Sequence, residues 1–245
     1  MGYKFFLSTL LLCLCTLGIT VYHAATADVA SQSAIPTALS ALPTTTPPDP
    51  TAPPRGVEQT AMLAMAPFTV TFPTSWSLLR PTQSEWDTQV ATVQQVQPVL
   101  AADLDAILAM ADQATAIALA WPPAEQPDIS LRAAVVPADD LTLSTYLAAA
   151  RAALETAPPV EGVPIAIKDV GIRYDLHQEQ LPVAVLHYEI SGEKITEEAP
   201  TTGYQAVLLD STGAHLLLLT FTVRSAEPDA ALTLVESIVA AIQQN

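Results

Sequence analysis

Residues 203–223 read GYQAVLLDSTGAHLLLLTFTV, and the fold class turns on this stretch. Two strand-like runs, Tyr204 to Asp210 and His215 to Arg224, flank Ser211-Thr212-Gly213-Ala214, which has the composition of a hairpin turn. Successive side chains of a strand point to opposite faces, so Leu216 to Leu219 place leucine on both. A strand that is apolar on both faces must be covered on both. His215 to Arg224 therefore reads as the central strand of a sheet held between two layers.

The flanking sequence supplies the layers. A helix from about Glu227 to Ile242 carries Leu232, Val235, Ile238, Val239 and Ile242 at helical spacing. Upstream lie strand candidates Ile165 to Tyr174 and Ala184 to Ser191. Before them a helix shows Leu143, Tyr146, Leu147, Ala150 and Leu154 on one stripe. Asp139-Asp140 is its expected start, because a carboxylate accepts unpaired amide hydrogens and complements the helix dipole. Pro158-Pro159 closes it. Ile129 to Val136, ended by Pro137, and the alternation of Ile117, Leu119 and Trp121 before Pro122 give two more strands.

Another amphipathic helix runs through Leu100, Leu104, Ile107, Leu108 and Ala111, with Asp103, Asp105 and Asp112 expected mostly on its outer side. Phe68 to Phe72 is a first strand, Pro73 a corner, and Trp76 to Leu79 a short second strand. No internal repeat is present. The expectation is an α+β fold: one domain over 67–245 with an antiparallel β-sheet sandwiched between helices.

The first 66 residues differ in kind. Lys4 precedes an uncharged apolar run from Phe5 to Tyr22, and Ala25-Thr26-Ala27 supplies small residues for a signal peptidase. Residues 1–27 are thus expected to be a cleaved secretory signal, with an uncleaved membrane anchor as the alternative, since the run is close to the length of a span. Either way the remainder is expected to be extracytoplasmic, secreted or tethered to the outer face of the cytoplasmic membrane through residues 5–22. Cys13 and Cys15 both fall within the apolar run, and Leu12 and Leu14 are poor neighbours for a lipidated cysteine. The exported part contains no cysteine, which excludes disulfides, thiolate metal sites and a cysteine nucleophile there. Residues 28–66, rich in Pro, Thr and Ala, show no periodic apolar face and are expected to form a disordered linker. Asn245 is the only asparagine, so no N-glycosylation sequon exists.

Several pieces in this order resemble the PsbP/DcrB-like group. These are the opening FTVTFPTSWSLL, the strand ISLRAAVVP with the helix LTLSTYLAAARAALE, the hairpin quoted above and a terminal helix with SIVAAI. The resemblance implies an α/β/α sandwich built on an antiparallel sheet. The group spans a photosystem II extrinsic subunit, envelope lipoproteins and a nuclear transport factor, so it implies binding or accessory roles and no shared reaction. No site motif is matched residue by residue.

Charge narrows the function classes. Nine Lys and Arg against 25 Asp and Glu give a net charge of −16, which argues against nucleic-acid binding because phosphate recognition needs a basic footprint. Leu208-Leu209-Asp210-Ser211-Thr212-Gly213 approaches an aspartic protease signature but carries one inserted residue and has no second copy. Shared-proton chemistry needs two carboxylates, whereas a hairpin turn accounts for Asp210 fully.

His187 and Glu189 stand two apart on a strand and so share a face, while His177 and Glu179 could sit on a neighbouring loop and His215 on another strand. Zinc would need three or four such ligands converging. His23 lies in or beside the signal and is no candidate. No nucleophile-elbow, Walker or dinucleotide motif appears. Trp76, Trp86 and Trp121 are candidates for lining a ligand slot but read more simply as core packing. Glu193, Glu197 and Glu198 flank Thr196 and Pro200 in an acidic loop between strands, either solvated or facing a partner. No catalytic, cofactor-binding or metal-binding residue is assigned, and no cofactor is expected. The expectation is a non-catalytic extracytoplasmic binding or accessory protein acting on an envelope protein or small ligand. The alternative is a hydrolase or metal-binding protein using carboxylates and histidines gathered by the fold.

Overall fold

A computed structural model describes residues 60–80, 86–97, 100–123, 128–156, 165–190, 201–225 and 228–244. The signal, Cys13 and Cys15, most of the linker and the acidic loop lie outside these residues. The elements are β1 (Thr60–Met65), β2 (Phe68–Pro73), β3 (Ser77–Leu79), α1 (Trp86–Val96), α2 (Ala101–Met110), β4 (Ala116–Trp121) and β5 (Ile129–Pro137), followed by α3 (Leu143–Thr156), β6 (Ile165–Arg173), β7 (Val183–Ile190), β8 (Thr201–Leu209), β9 (His215–Arg224), α4 (Pro228–Ala240) and β10 (Gln243–Gln244).

Seven strands form one antiparallel sheet in the order β3-β4-β5-β9-β8-β7-β6, so β9 is central. Its leucines divide as strand geometry requires. Leu217 and Leu219 enter a core shared with β1, β2 and α4, while Leu216 and Leu218 enter a core shared with α3. A third cluster joins Leu119 and Trp121 of β4 to Val93 of α1 and Leu104 and Ile107 of α2. The helices α1, α2 and α3 therefore cover one face, called the helical face below. The opposite face is covered by α4 together with a three-stranded sheet, β1-β2-β10, an extra layer that the sequence pattern did not predict.

Four local differences have physical causes. The expected linker end, 60–66, contains β1: Thr60 to Met65 pairs antiparallel with β2, and Leu63 and Met65 are buried. Its period-2 pattern is masked because the outward-facing Met62 is apolar, 65% exposed, and the inward-facing Ala61 is small. Helix α1 was not expected, because Trp86–Val96 is mostly polar and presents only a thin valine stripe. Asp139 and Asp140 do not start α3. Both adopt positive φ, 46° and 66°, in the turn before it, a conformation that short polar side chains tolerate. The start is instead a reciprocal capping box: the Thr145 amide donates to Thr142 Oγ1 at 3.2 Å and the Thr142 amide to Thr145 Oγ1 at 2.9 Å. Lastly, Asp103 of α2 points inward.

Candidate ligand-binding face of the sheet

The helical face changes character along its strands. Towards one end β9 shows Leu216 and Leu218, β5 shows Ala134 and Val136, and β8 shows Val207, all buried. Towards the other end the same alternation delivers Thr220, Thr222 and Arg224 from β9, Ser130 and Arg132 from β5, and Gly203 and Gln205 from β8. Strand register sets these side by side. Arg132, Thr220 and Gln205 form one row, and Ser130, Thr222, Gly203 and Tyr188 form the next.

Buried polar groups must find partners, and Asp103 is the hub of most of them. Its carboxylate, 2% exposed, lies 2.5 Å from Arg224 Nη2 and 3.4 Å from Arg132 Nε. Ser130 donates its hydroxyl to Asp103 Oδ2 at 2.6 Å, and Thr222 donates to Oδ1 at 3.2 Å. Burial alone would push this carboxyl towards its neutral form. The charges of Arg224 and Arg132 and the Ser130 hydrogen bond outweigh it and hold the pKa below the usual carboxylate range. In the next strand, Tyr146 of α3 donates to Gln205 Oε1 at 2.8 Å, and Gln205 Nε2 donates to Thr220 Oγ1 at 3.1 Å.

Two groups in this patch are left over. Arg132 Nε and the Tyr188 hydroxyl are buried without a hydrogen-bond partner. The Tyr188 ring lies over Gly203, where an added Cβ would come 2.6 Å from the hydroxyl oxygen. Glycine is thus what admits the ring to this position. Helix α2 packs on β4 and β5, and α3 on β6, β7 and β8, so β9 lies between the two helices. Thr220 is half-exposed there, although Leu218 and Thr222 on the same face are buried. Solvent therefore reaches the polar row from between the helices.

The residues singled out from sequence are dispersed by the fold. Asp210 closes the β8–β9 turn: its carboxylate accepts the Ala214 amide at 2.8 Å and the Thr212 hydroxyl at 3.0 Å, with His215 Nδ1 at 3.1 Å. Burial opposes its ionised form, but the His215 and Thr212 hydrogen bonds outweigh burial and lower its pKa. Gly213 supplies the positive φ, 75°, that this turn needs.

His177 is buried. Its Nδ1 accepts the Glu179 amide at 3.2 Å, so its proton sits on Nε2 and is donated to the Ile242 carbonyl at 2.8 Å. His187 packs against the Tyr204 ring, with centroids 5.8 Å apart, and burial lowers its pKa. Glu189 is paired with Lys168 at 2.9 Å. Among the described residues no three His, Cys, Asp or Glu side chains are grouped to hold a metal ion. Trp76 and Trp121 enter different cores on opposite sides of the large sheet, so they do not line a common slot. The side chain of Trp86 and residues Glu193, Thr196, Glu197, Glu198 and Pro200 lie outside what is described. No helix of the described residues is long and apolar enough to cross a membrane.

No protein-family model and no curated protein sequence matches the chain at a significant level. Among solved structures, it is similar to cyanobacterial PsbP from Synechocystis sp. PCC 6803, with a TM-score of 0.47 and 8% identity over 80% of this chain and 98% of that one. It is also similar to LpqN of Mycobacterium tuberculosis, described as involved in cell envelope biogenesis, with a TM-score of 0.42 and 15% identity over 76% of this chain and 90% of that one. The first of these is a PsbP protein, the group that the ordered sequence pieces resemble. Identities this low transfer no functional residue to the chain.

Proposed function

We propose that the chain is a non-catalytic, extracytoplasmic binding or accessory protein whose working surface is the polar half of the helical face. The observation that carries this reading is the pair of buried groups without a hydrogen-bond partner, Arg132 Nε and the Tyr188 hydroxyl, in two adjacent polar rows, the first of which solvent reaches at Thr220. A folded chain that leaves such donors unused while satisfying Asp103, Ser130 and Gln205 around them is built to receive an acceptor from outside.

Among the described residues, four groups that could serve as acid, base or ligand are committed to structure. Asp210 and His215 hold a turn, His177 fastens the segment after β6 to the C-terminal strand, and Asp103 neutralises arginines. The apolar run and the Ala25-Thr26-Ala27 site support the extracytoplasmic address.

The test has two arms. Fractionation and N-terminal sequencing are expected to give an exported protein beginning at Asp28, or intact Met1 in the membrane fraction. A soluble cytoplasmic pool would overturn the address. The purified chain, assayed with mixed peptides from acidic to neutral pH, is expected to show no turnover. Turnover that disappears in Asp210→Asn would replace the binding reading with a hydrolytic one, since an amide cannot cycle a proton.

A further inference from the structure

We propose that Arg132 and Tyr188, with Thr220 and Gln205 beside them, form a subsite for a single carboxylate group on a small ligand that enters between α2 and α3. The inference rests on the binding reading above and names the ligand chemistry of that surface.

Charge comes first. Among the described residues the cluster contains two guanidinium groups, the buried Arg132 and the partly exposed Arg224, and one carboxylate, Asp103. Asp103 spends its close contacts on Arg224, Ser130 and Thr222, at 2.5, 2.6 and 3.2 Å. Arg132 approaches it only through Nε, at 3.4 Å and without hydrogen-bond geometry. Its side chain is nonetheless only 8% exposed. A guanidinium taken out of water with its Nε lacking a hydrogen-bond acceptor is stabilised when an acceptor arrives. One carboxylate balances the surplus positive charge, whereas a phosphate dianion would reverse it.

Geometry and donors agree with charge. Arg132 presents a planar fork that matches the two oxygens of a carboxylate. The Tyr188 hydroxyl, held over Gly203, is within electrostatic reach of Arg132 and Asp103 and has no partner. Burial pushes its ionisation upward, so it stays a proton donor at neutral pH. Thr220, the half-exposed member of the row, lies directly between Arg132 and Gln205 and marks the entrance.

Butyrate is a suitable probe, titrated calorimetrically into the full chain with sodium chloride matching the ionic strength and inorganic phosphate as the contrasting anion. Saturable butyrate binding is expected, with phosphate weaker. Arg132→Gln is expected to weaken butyrate by about tenfold or more, and Tyr188→Phe by about two- to tenfold. Tyr188→Phe removes one oxygen that bonds to nothing in the folded chain, so it should keep the fold and carries the test if Arg132→Gln does not fold. No saturable binding to the folded wild type, phosphate equal to or tighter than butyrate, or affinity unchanged in Tyr188→Phe would overturn the proposal. The export and turnover measurements above do not depend on Arg132 or Tyr188. A failed titration with those intact therefore sinks the ligand assignment and leaves the accessory reading standing.

Discussion

Replacing Asp103 by Asn tests whether the polar half of the sheet is held by charge or only by shape. The substitution keeps volume and one carbonyl oxygen, but removes the one carboxylate that, among the described residues, is paired with Arg132 and Arg224. Deleting one partner of a buried ion pair costs roughly 3–5 kcal/mol, because the remaining charge is left without compensation. The lower end applies here, about 3 kcal/mol, since Arg224 keeps 21% of its side chain in solvent while Arg132 keeps 8%. With a urea slope of about 2 kcal/mol per molar, the unfolding midpoint should fall by about 1.5 M at unchanged slope. Asp105→Asn, two residues along α2 on its exposed side, should stay within about 0.5 kcal/mol of wild type.

The same variant predicts a pH dependence of known sign. The pKa of Asp103 is lowered in the folded chain relative to its ordinary 3.8. Its contribution to stability is therefore fully present above that unfolded value and is lost as pH falls through the lower folded one. Urea unfolding of wild type and Asp103→Asn, followed by circular dichroism at neutral pH and below pH 4, should show the gap between them closing in acid. A neutral-pH difference under about 1 kcal/mol would refute the argument that Asp103 compensates the buried Arg132 and the partly buried Arg224. A gap that persists unchanged in acid would refute its assignment to ionisation.

Two further substitutions probe the frame around the site. Gly203→Ala places a Cβ 2.6 Å from the Tyr188 hydroxyl oxygen and on the ring itself, so it should cost about 1–3 kcal/mol in urea unfolding. A double mutant cycle with Tyr188→Ala should show strong non-additivity, and simple additivity would mean the ring does not occupy that space. Leu217→Ala and Leu218→Ala empty cores on opposite faces of β9 and should each cost about 2–5 kcal/mol. Two neutral results would contradict a sheet covered on both sides.

The fold was legible wherever apolar periodicity reached the core directly. Leu216 to Leu219 marked β9 as the central strand, and it is the fourth of seven. The hairpin at Ser211 to Ala214 and the stripes of α3 and α4 were legible for the same reason, whereas the α2 stripe held only in part: Leu100, Leu104 and Ile107 are buried, but Leu108 is half-buried and Ala111 exposed. Elements whose burial depends on a distant partner were not. β1 offers Leu63, Met65 and the small Ala61 to the core but turns Met62 outward, and becomes a strand because β2 pairs with it along its length. The start of α3 was misplaced because Asp139-Asp140 and Thr142 are all competent cap residues. Backbone conformation decides between them, and a sequence does not display φ.

The candidate site shows why periodicity could not find it. On α2, Asp103 and Asp105 look equivalent in the sequence, two carboxylates in a run of alanines and leucines, and both were expected on the outer side. What separates them is chain-distant: Thr222 and Arg224 stand 119 and 121 residues from Asp103, and Ser130 stands 27 away. Arg132 had a signal of its own, since it is a lone cation inside the apolar strand ISLRAAVV, and an arginine there has to be paired or used. Arg224 hydrogen-bonds to Asp103 and Ser130, whereas Arg132 meets Asp103 at 3.4 Å with its Nε left without a hydrogen bond. The same sheet register that gives Asp103 its partners thus creates the unused donor. A site of this kind follows from the difference between two arginines that sequence alone would treat alike.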